Sequence, residues 1–201
     1  TSFAEVPECP ECTGAAAVLM DGSSGRVLYE KDSHRKLPMA STTKIMTAIT
    51  ALEYGKPEDI VVIPPEASGV EGSSIWLSPG EHQTLKDLLY GLMLRSGNDA
   101  ATAIALHIGD SVEHFADMMN ALARKIGVVD SCFINPHGLP NDNHYTTAYD
   151  LARITAYGLR NPVFREIVST KYHTIPWEGH EWDRAMKNEN KLLWNYEGAN
   201  G

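Results

Sequence analysis

The chain has 201 residues, of which 43% are hydrophobic and 21% are charged, as in an ordinary globular domain. Its formal net charge is −9 and its lysines and arginines form no block, which argues against nucleic acid as a partner because phosphate binding relies on clustered cations. No apolar run approaches the roughly 20 residues that span a bilayer. The chain does not open with a basic segment followed by an apolar one, so we expect no signal peptide within it.

Residues 1–12 are predicted to form an irregular leader, which contains the pair Cys9 and Cys12. A zinc site would need a second pair of Cys or His residues at matching spacing, and a redox pair would need a following helix to lower a thiol pKa. The sequence provides neither. We therefore interpret the pair as a local disulfide or as two free thiols, and Cys132 as a small buried apolar side chain. We expect no metal and no other cofactor.

The first elements after the leader are a hairpin and a helix. Residues 15–21 and 26–31 flank the turn Gly-Ser-Ser-Gly and predict a β-hairpin. Apolar residues at helical spacing predict a helix from about residue 41 to residue 54, followed by a glycine and a proline that favour its end there. Residues 60–63 and 73–77 have the composition of two short strands on either side of a loop.

A run of helices follows. Apolar periodicity and terminal signals predict helices over 84–94, 98–109, 110–127 and 147–159. The side chains predicted to cap these four helices are Thr84, Asn98, Asp110 and Thr147. Further along, Asn161-Pro162 starts a short helix, a strand is predicted over 169–176, and an irregular tail reaches Gly201.

The order of these elements predicts an α+β fold: a hairpin, a helix, a long helical insert and a return to strand. Two strands alone are marginally stable, so the hairpin needs a larger sheet to join. We expect those additional strands to lie beyond residue 201 or to come from another copy of the chain.

The segment "PMASTTKIMTA" places Ser41 three residues before Lys44 at the start of a helix. Residues with this spacing share a helix face, with Cβ atoms roughly 5–6 Å apart. A lysine whose pKa is lowered by burial can take the proton of a serine and make it a nucleophile, and the amides of the first helical turn can bind an oxyanion. The alternative is that Ser41 only caps the helix. Spacing alone does not decide, because Ser33 and Lys36 match the same pattern in a polar turn.

A second candidate feature is Ser96-Gly97-Asn98 in "MLRSGNDAA", which joins two predicted helices. These are ordinary turn residues, and Asn98 would make a competent helix cap. In the functional interpretation, both side chains project into a cleft beside Ser41. There Ser96 relays a proton and Asn98 binds a substrate amide.

The wording and order of "MASTTKIMTA" and "LMLRSGNDAA" resemble the serine D-alanyl-D-alanine carboxypeptidases, which are low-molecular-weight penicillin-binding proteins of the Ser-x-x-Lys acyl-transferase superfamily. The segments "AAAVLMDGSSGRVLYEKDSHRKLPMAS", "SCFINPHGLPNDNHYTTAYDLARI" and "NENKLLWNYEGANG" are similar to further parts of that family. The resemblance implies a β-lactamase/transpeptidase-like α+β fold with an antiparallel sheet. It implies one peptidase domain over 13–201, with a helical lobe at about 60–160.

The resemblance also implies an acyl-enzyme mechanism. Ser41 attacks the carbonyl between the two terminal D-alanines of a peptidoglycan stem peptide, Lys44 is the base, Ser96 carries the proton to the leaving amine, and Asn98 holds the substrate backbone. A β-lactam mimics the dipeptide and stays attached to Ser41. Because peptidoglycan lies outside the cytoplasmic membrane, the implied location is extracytoplasmic.

One departure from the family pattern matters. The family's third motif, Lys-Thr-Gly, does not occur, and the sequence ends at Gly201, where family members continue into that motif. We therefore expect a truncated peptidase domain with little or no turnover of its own. We also expect membrane association only through a segment absent from the chain, and possible self-association that completes the sheet.

Three alternatives are weighed against this interpretation. A class A β-lactamase would be expected to carry Ser-Asp-Asn at 96–98 and an additional glutamate loop. A metallopeptidase would carry His-Glu-x-x-His, whereas "GHEWD" at 179–183 offers one histidine beside acids, and we interpret His137 as a turn or structural histidine. A non-catalytic protein that binds cell-wall peptides on the same scaffold stays open, and covalent labelling of Ser41 would separate it from the enzyme.

Overall fold

The computed structural model describes residues 11–201. Its strands are β1 (Ala17–Met20), β2 (Val27–Lys31), β3 (Ile60–Val62), β4 (His82–Thr84), β5 (Tyr172–Ile175) and β6 (Arg184–Lys187). Its α-helices are α1 (Thr43–Tyr54), α2 (Leu85–Arg95), α3 (Asn98–Gly109), α4 (Val112–Ile126), α5 (Ala148–Gly158), α6 (Pro162–Ser169) and α7 (Leu192–Asn195). The predicted α+β class is confirmed.

The strands form three antiparallel pairs within the described part of the chain: β1 with β2, β3 with β4, and β5 with β6. In the first pair Ala17 lies opposite Lys31, and the register shifts between Leu19 and Met20. This hairpin, which was predicted, packs on α5. A two-stranded ribbon is marginal alone, so the helix beneath it supplies part of its stability.

Helix α3 lies at the centre of the core and contacts α1, α2 and α4. Its central turns are buried on all sides, and their side chains are mostly small: Ala100, Ala101, Ala103, Ile104 and Ala105. Helices whose contact residues are small can approach one another closely. This close packing brings the start of α3 next to the start of α1, which places Asn98 near Lys44.

Two of the four predicted caps are confirmed and two are wrong. Thr84 and Thr147 accept hydrogen bonds from the backbone N–H groups of the third helical residues. Asp110 instead ends α3 in a left-handed conformation, and the adjacent Ser111 caps α4. Asn98 is the first residue of α3 rather than its cap, because its side chain is committed to tertiary contacts that are described below.

The strand predicted over 73–77 is wrong. The partner of β3 is β4, with Ile60 opposite Thr84. Residues 73–77 are irregular because two of their backbone N–H groups, those of Ile75 and Leu77, donate to the carboxylate of Asp99 instead of to a strand. Trp76 between them adopts a left-handed φ of 62°, which no regular strand allows.

The tail predicted as irregular after residue 176 contains β6 and α7. Arg184 in β6 is buried, and its guanidinium forms an ion pair with Glu81 at 2.9 Å and bonds the carbonyl of Trp76 at 3.1 Å. These contacts tie the tail to the segment before α2. Sequence patterning did not predict these contacts, because β6 is only four residues long and the partners of the Arg184 side chain lie more than a hundred positions earlier in the chain.

Two remaining predictions concern the cysteines and the membrane. Cys9 lies outside the described residues, so its predicted relation to Cys12 is not addressed, and most of the predicted leader falls there too. Cys132 is half-buried rather than fully buried, and it forms an antiparallel bridge with Tyr145. Over residues 11–201, none of the helices is long and apolar enough to cross a bilayer.

Candidate active site

Ser41 is not a helix cap. It lies in a single 3-10 turn over Ala40–Thr42, directly before α1, and the start of α1 has no side-chain cap. The serine is exposed, and its Oγ accepts a hydrogen bond of 3.2 Å from the Nζ of Lys44. The structure therefore contradicts the capping interpretation and brings the serine and the lysine together.

Lys44 is only 2% exposed, although it carries a titratable amine. Its Nζ has three partners: Ser41 Oγ at 3.2 Å, Asn98 Oδ1 at 2.7 Å and the carbonyl oxygen of His137 at 2.8 Å. Burial lowers the pKa of Lys44 to about 8, and the nearby Asp99 carboxylate opposes this shift. Roughly a tenth of the amine is therefore neutral at pH 7, far more than for an ordinary lysine.

Asn98 joins the site through both atoms of its amide. Oδ1 accepts from Lys44, and Nδ2 donates to the carbonyl of Glu71. The backbone between Glu71 and Ser73 lies so close to this amide that a Cβ on Gly72 would sit 2.6 Å from Nδ2. Gly72 also has a φ of 97°, which L residues rarely adopt. The 71–74 backbone thus fixes the orientation of the Asn98 amide.

Asp99, which sequence reasoning did not single out, anchors the segment in front of the site. Its carboxylate is buried and accepts from Ser74 Oγ at 2.6 Å and from the N–H groups of Ile75 and Leu77 at 3.1 Å. Several donors around one carboxylate are typical of an anchoring role. One sequence signal for this role was available, an aspartate directly after the Asn of the second motif. Acidic residues are common in the first turn of a helix, so that signal does not distinguish Asp99 from an ordinary helical residue.

Ser96 ends α2 in a left-handed conformation with a φ of 56°. Its Oγ is buried, and no described residue forms a hydrogen bond with it. The structure therefore shows no direct hydrogen bond between the predicted site residue Ser96 and either Ser41 or Lys44. A buried hydroxyl without a partner is costly, and a catalytic role is one of the explanations for such a group.

The segment that follows residue 135 closes the site from the other side, although the sequence predicted only a turn or structural role for its histidine. The carbonyl of His137 binds Lys44, and burial, together with the charge of Lys44, lowers the pKa of the His137 ring to about 4. Thr47 of α1 donates to the carbonyl of Pro136 at 2.6 Å. This contact fixes the segment against the same helix that carries Lys44.

The described residues include no cluster of three or more His, Cys, Asp or Glu side chains that could hold a metal ion. The site is instead formed by a serine, a buried amine, an amide and a carbonyl. Such a set can remove the proton of a hydroxyl and stabilise a covalent intermediate.

Comparisons with known proteins show which family the chain resembles along its length. A family model described as D-alanyl-D-alanine carboxypeptidase matches residues 3–201. The D-alanyl-D-alanine carboxypeptidase DacF of Bacillus subtilis is 37% identical over 191 residues, which are 92% of this chain and 49% of the relative. DacC of Escherichia coli is 34% identical, with 97% of this chain and 51% of the relative covered. The chain thus spans about half the length of these curated relatives.

Solved structures give the same result. A D-alanyl-D-alanine carboxypeptidase from Mycobacterium tuberculosis superposes with a TM-score of 0.93 at 30% identity, and the match covers 98% of this chain and 75% of that one. Penicillin-binding protein 6B from Escherichia coli superposes with a TM-score of 0.85 at 32% identity, over 95% of this chain and 62% of that one.

Proposed function

This chain belongs to the D-alanyl-D-alanine carboxypeptidase family, and we propose that it carries the acylation site of a serine D,D-carboxypeptidase. The protein removes the terminal D-alanine from peptidoglycan stem peptides through an ester on Ser41. A single observation carries the proposal: the buried Lys44 touches the Ser41 hydroxyl while its other two contacts are to oxygens that can only accept.

Those two contacts decide what the neutral amine can do. The Asn98 Oδ1 and the His137 carbonyl must each receive an N–H. A neutral amine has two N–H groups, so both are used there and the lone pair remains for Ser41. The hydroxyl then donates to Lys44, and the amine is oriented as a general base. In the protonated form, the third N–H points at Ser41 instead, and the serine is not activated.

The proposed reaction follows from this arrangement. Lys44 takes the proton of Ser41 as Oγ bonds to the carbonyl carbon of the penultimate D-alanine. The carbonyl oxygen becomes an oxyanion that backbone N–H groups at the start of α1 can stabilise. The C–N bond then breaks, the terminal D-alanine leaves with a proton on its amine, and water hydrolyses the ester.

Ser96 and Asn98 take supporting roles in the proposal. The Ser96 hydroxyl, which is buried without a partner among the described residues, is free to pass the proton from Lys44 to the leaving amine. The Asn98 Nδ2 gives one N–H to Glu71, and its second N–H is available for a substrate carbonyl because an amide nitrogen carries two.

The proposed partners are a stem peptide that ends in D-Ala-D-Ala and β-lactams, which acylate the same serine. The proposed location is extracytoplasmic, where the substrate lies. Self-association that completes a sheet, and attachment to a membrane through another segment, remain predictions from the sequence.

Intact mass measured after incubation with benzylpenicillin tests the proposal. We expect one adduct per chain, which disappears in Ser41→Ala. The matched control is Ser33→Ala, which removes the serine of the second Ser-x-x-Lys pattern and should leave labelling unchanged. A folded wild-type chain that gains no adduct, or an adduct that survives Ser41→Ala, would contradict the proposal.

Release of D-alanine from a peptide ending in D-Ala-D-Ala separates acylation from full turnover. Labelling by penicillin together with measurable release would support the complete reaction. Labelling without release would restrict the chain to the acylation half.

A further inference from the structure

We infer that His144 is a positioning residue for the proposed reaction: through Thr43 it holds the peptide unit between Ala40 and Ser41 and so directs the Ser41 N–H towards the oxyanion. This inference rests on the proposed function, since it assigns the Ser41 N–H to the oxyanion that forms there. His144 does not touch the substrate in this assignment.

The residue before the nucleophile is held in an unfavourable conformation. Ala40 has a φ of 46°, and a left-handed conformation is unfavourable for a residue other than glycine. Gly138 lies against its carbonyl so closely that a Cβ there would be 1.9 Å from the Ala40 oxygen. Such strain persists only where surrounding contacts enforce it.

A chain of hydrogen bonds adds to the contact that the backbone N–H of Thr43 makes with the Ala40 carbonyl, and each donor in the chain can be assigned. The backbone N–H of Ile134 donates to the Nδ1 of His144 at 2.9 Å, so Nδ1 is unprotonated and the neutral ring carries its proton on Nε2. Nε2 therefore donates to Thr43 Oγ1 at 2.7 Å. The Thr43 hydroxyl in turn donates to the carbonyl of Ala40 at 2.7 Å.

The Ala40 carbonyl and the Ser41 N–H belong to the same peptide unit. Because that unit is planar and trans, its C=O and N–H point in opposite directions, and fixing the oxygen fixes the direction of the N–H. Within the described part of the chain, the Ser41 N–H forms no hydrogen bond. It is therefore available to an oxygen that arrives at Ser41.

The position of His144 suits this task. The ring is 4% exposed and lies edge-on to Phe133. Burial favours the neutral form that the hydrogen-bond chain requires. The competing interpretation is purely structural: His144 ties the segment around Ile134 to α1, with no effect on the reaction.

Two variants and a fluorescent penicillin separate the interpretations. His144→Leu removes both hydrogen bonds, whereas His144→Gln keeps one acceptor and one donor. Acylation rates measured over a range of penicillin concentrations give the noncovalent dissociation constant and the acylation rate constant separately. We expect His144→Leu to slow the acylation step about ten- to a hundredfold, as for a weakened oxyanion donor, with little change in the dissociation constant. His144→Gln should recover most of the rate.

Thr43→Val provides the matched test of the same chain of bonds. It should slow acylation similarly, and adding His144→Leu should cost little more, because both changes break one linkage. A folded His144→Leu chain that acylates at the wild-type rate, or a double variant whose losses multiply, would overturn the inference.

If the wild-type chain is not acylated, the proposed function fails for this chain and the inference is judged by NMR. The Ser41 amide resonance should then shift and exchange faster with solvent in His144→Leu, but not in His144→Gln. An unchanged Ser41 amide in His144→Leu would overturn the inference, whatever the outcome for the reaction.

Discussion

Two Ser-x-x-Lys patterns occur close together in this chain and fold in opposite ways. At the first, Ser33 is buried and its hydroxyl donates to Glu30 at 2.6 Å, while Lys36 is exposed and pairs with Asp130 at 3.2 Å. At the second, Ser41 is exposed and Lys44 is buried. The lysine of the first pattern does not contact its serine, whereas the lysine of the second does.

The electrostatic consequences are also opposite. The hydrogen bond to Asp130 raises the pKa of Lys36, whereas burial lowers the pKa of Lys44 to about 8. The spacing of a serine and a lysine therefore does not determine the charge of the amine. Lys44 differs from Lys36 because its amine is buried among partners that accept hydrogen bonds without carrying a charge, and the proposed role as a base depends on that burial.

The largest expected effect is the loss of the buried amine. Lys44→Met should slow acylation of Ser41 by penicillin about a thousandfold, because the general base is removed. Lys36→Met is the matched control at the other pattern, and it should acylate at the wild-type rate. Time-resolved intact mass measures both. Equal losses in the two variants would mean that burial of the lysine does not decide which pattern reacts.

The next effect is the dependence of acylation on pH. Only neutral Lys44 accepts a proton, so the rate should rise close to tenfold for each pH unit below about 8 and level off above it. Asp99→Asn removes the charge that raises the pKa of Lys44, so the midpoint should move to lower pH. Asp117→Asn, on the exposed side of α4, is the control. A midpoint that stays in place in Asp99→Asn would contradict the assignment of Lys44 as the base.

A smaller loss is expected from the glycine behind Asn98. Gly72→Ala should displace the amide that binds Lys44 and slow acylation about tenfold, since small misplacements weaken catalysis. Gly69→Ala is the control, because Gly69 also has a positive φ of 76° but faces open space. Equal effects of the two changes would mean that backbone strain, rather than contact with Asn98, is responsible.

The smallest effect separates stability from reactivity. Ser33→Ala removes a buried hydroxyl and its bond to Glu30, and should lower the free energy of unfolding by about 1 kcal/mol without changing acylation. Ser41→Ala should abolish acylation with almost no change in stability, because its side chain is exposed. Urea denaturation followed by circular dichroism measures the first property and intact mass the second. Parallel changes in both properties would contradict the contrast.

Local patterns predicted much of this fold. Apolar periodicity located five of the six longer helices, and the hydroxyl residues at their starts identified the caps Thr84 and Thr147, because those contacts lie within one turn. The strand at 73–77 was wrong because a carboxylate from α3 competes for its backbone N–H groups. A local pattern contains no information about such a competitor.

The residues of the candidate site also fall into two groups, those with local sequence signals and those with long-range contacts. Ser41, Lys44, Ser96 and Asn98 were found through short motifs. Asp99, the His137 carbonyl and His144 were missed or undervalued because their contacts join residues far apart in the chain. The bond from Lys44 to His137, for example, spans 93 positions, and a backbone carbonyl has no signature in the sequence.

The three contacts of Lys44 also mean that the site forms only when the chain is folded. Its partners lie at the start of α1, at the start of α3, 54 positions away, and in the segment before α5, 93 positions away. None of these segments can assemble the site alone. The initial rate of acylation should therefore follow the folded population of the chain, so that brief covalent labelling of Ser41 reports native structure in a mixture where other probes average over all molecules.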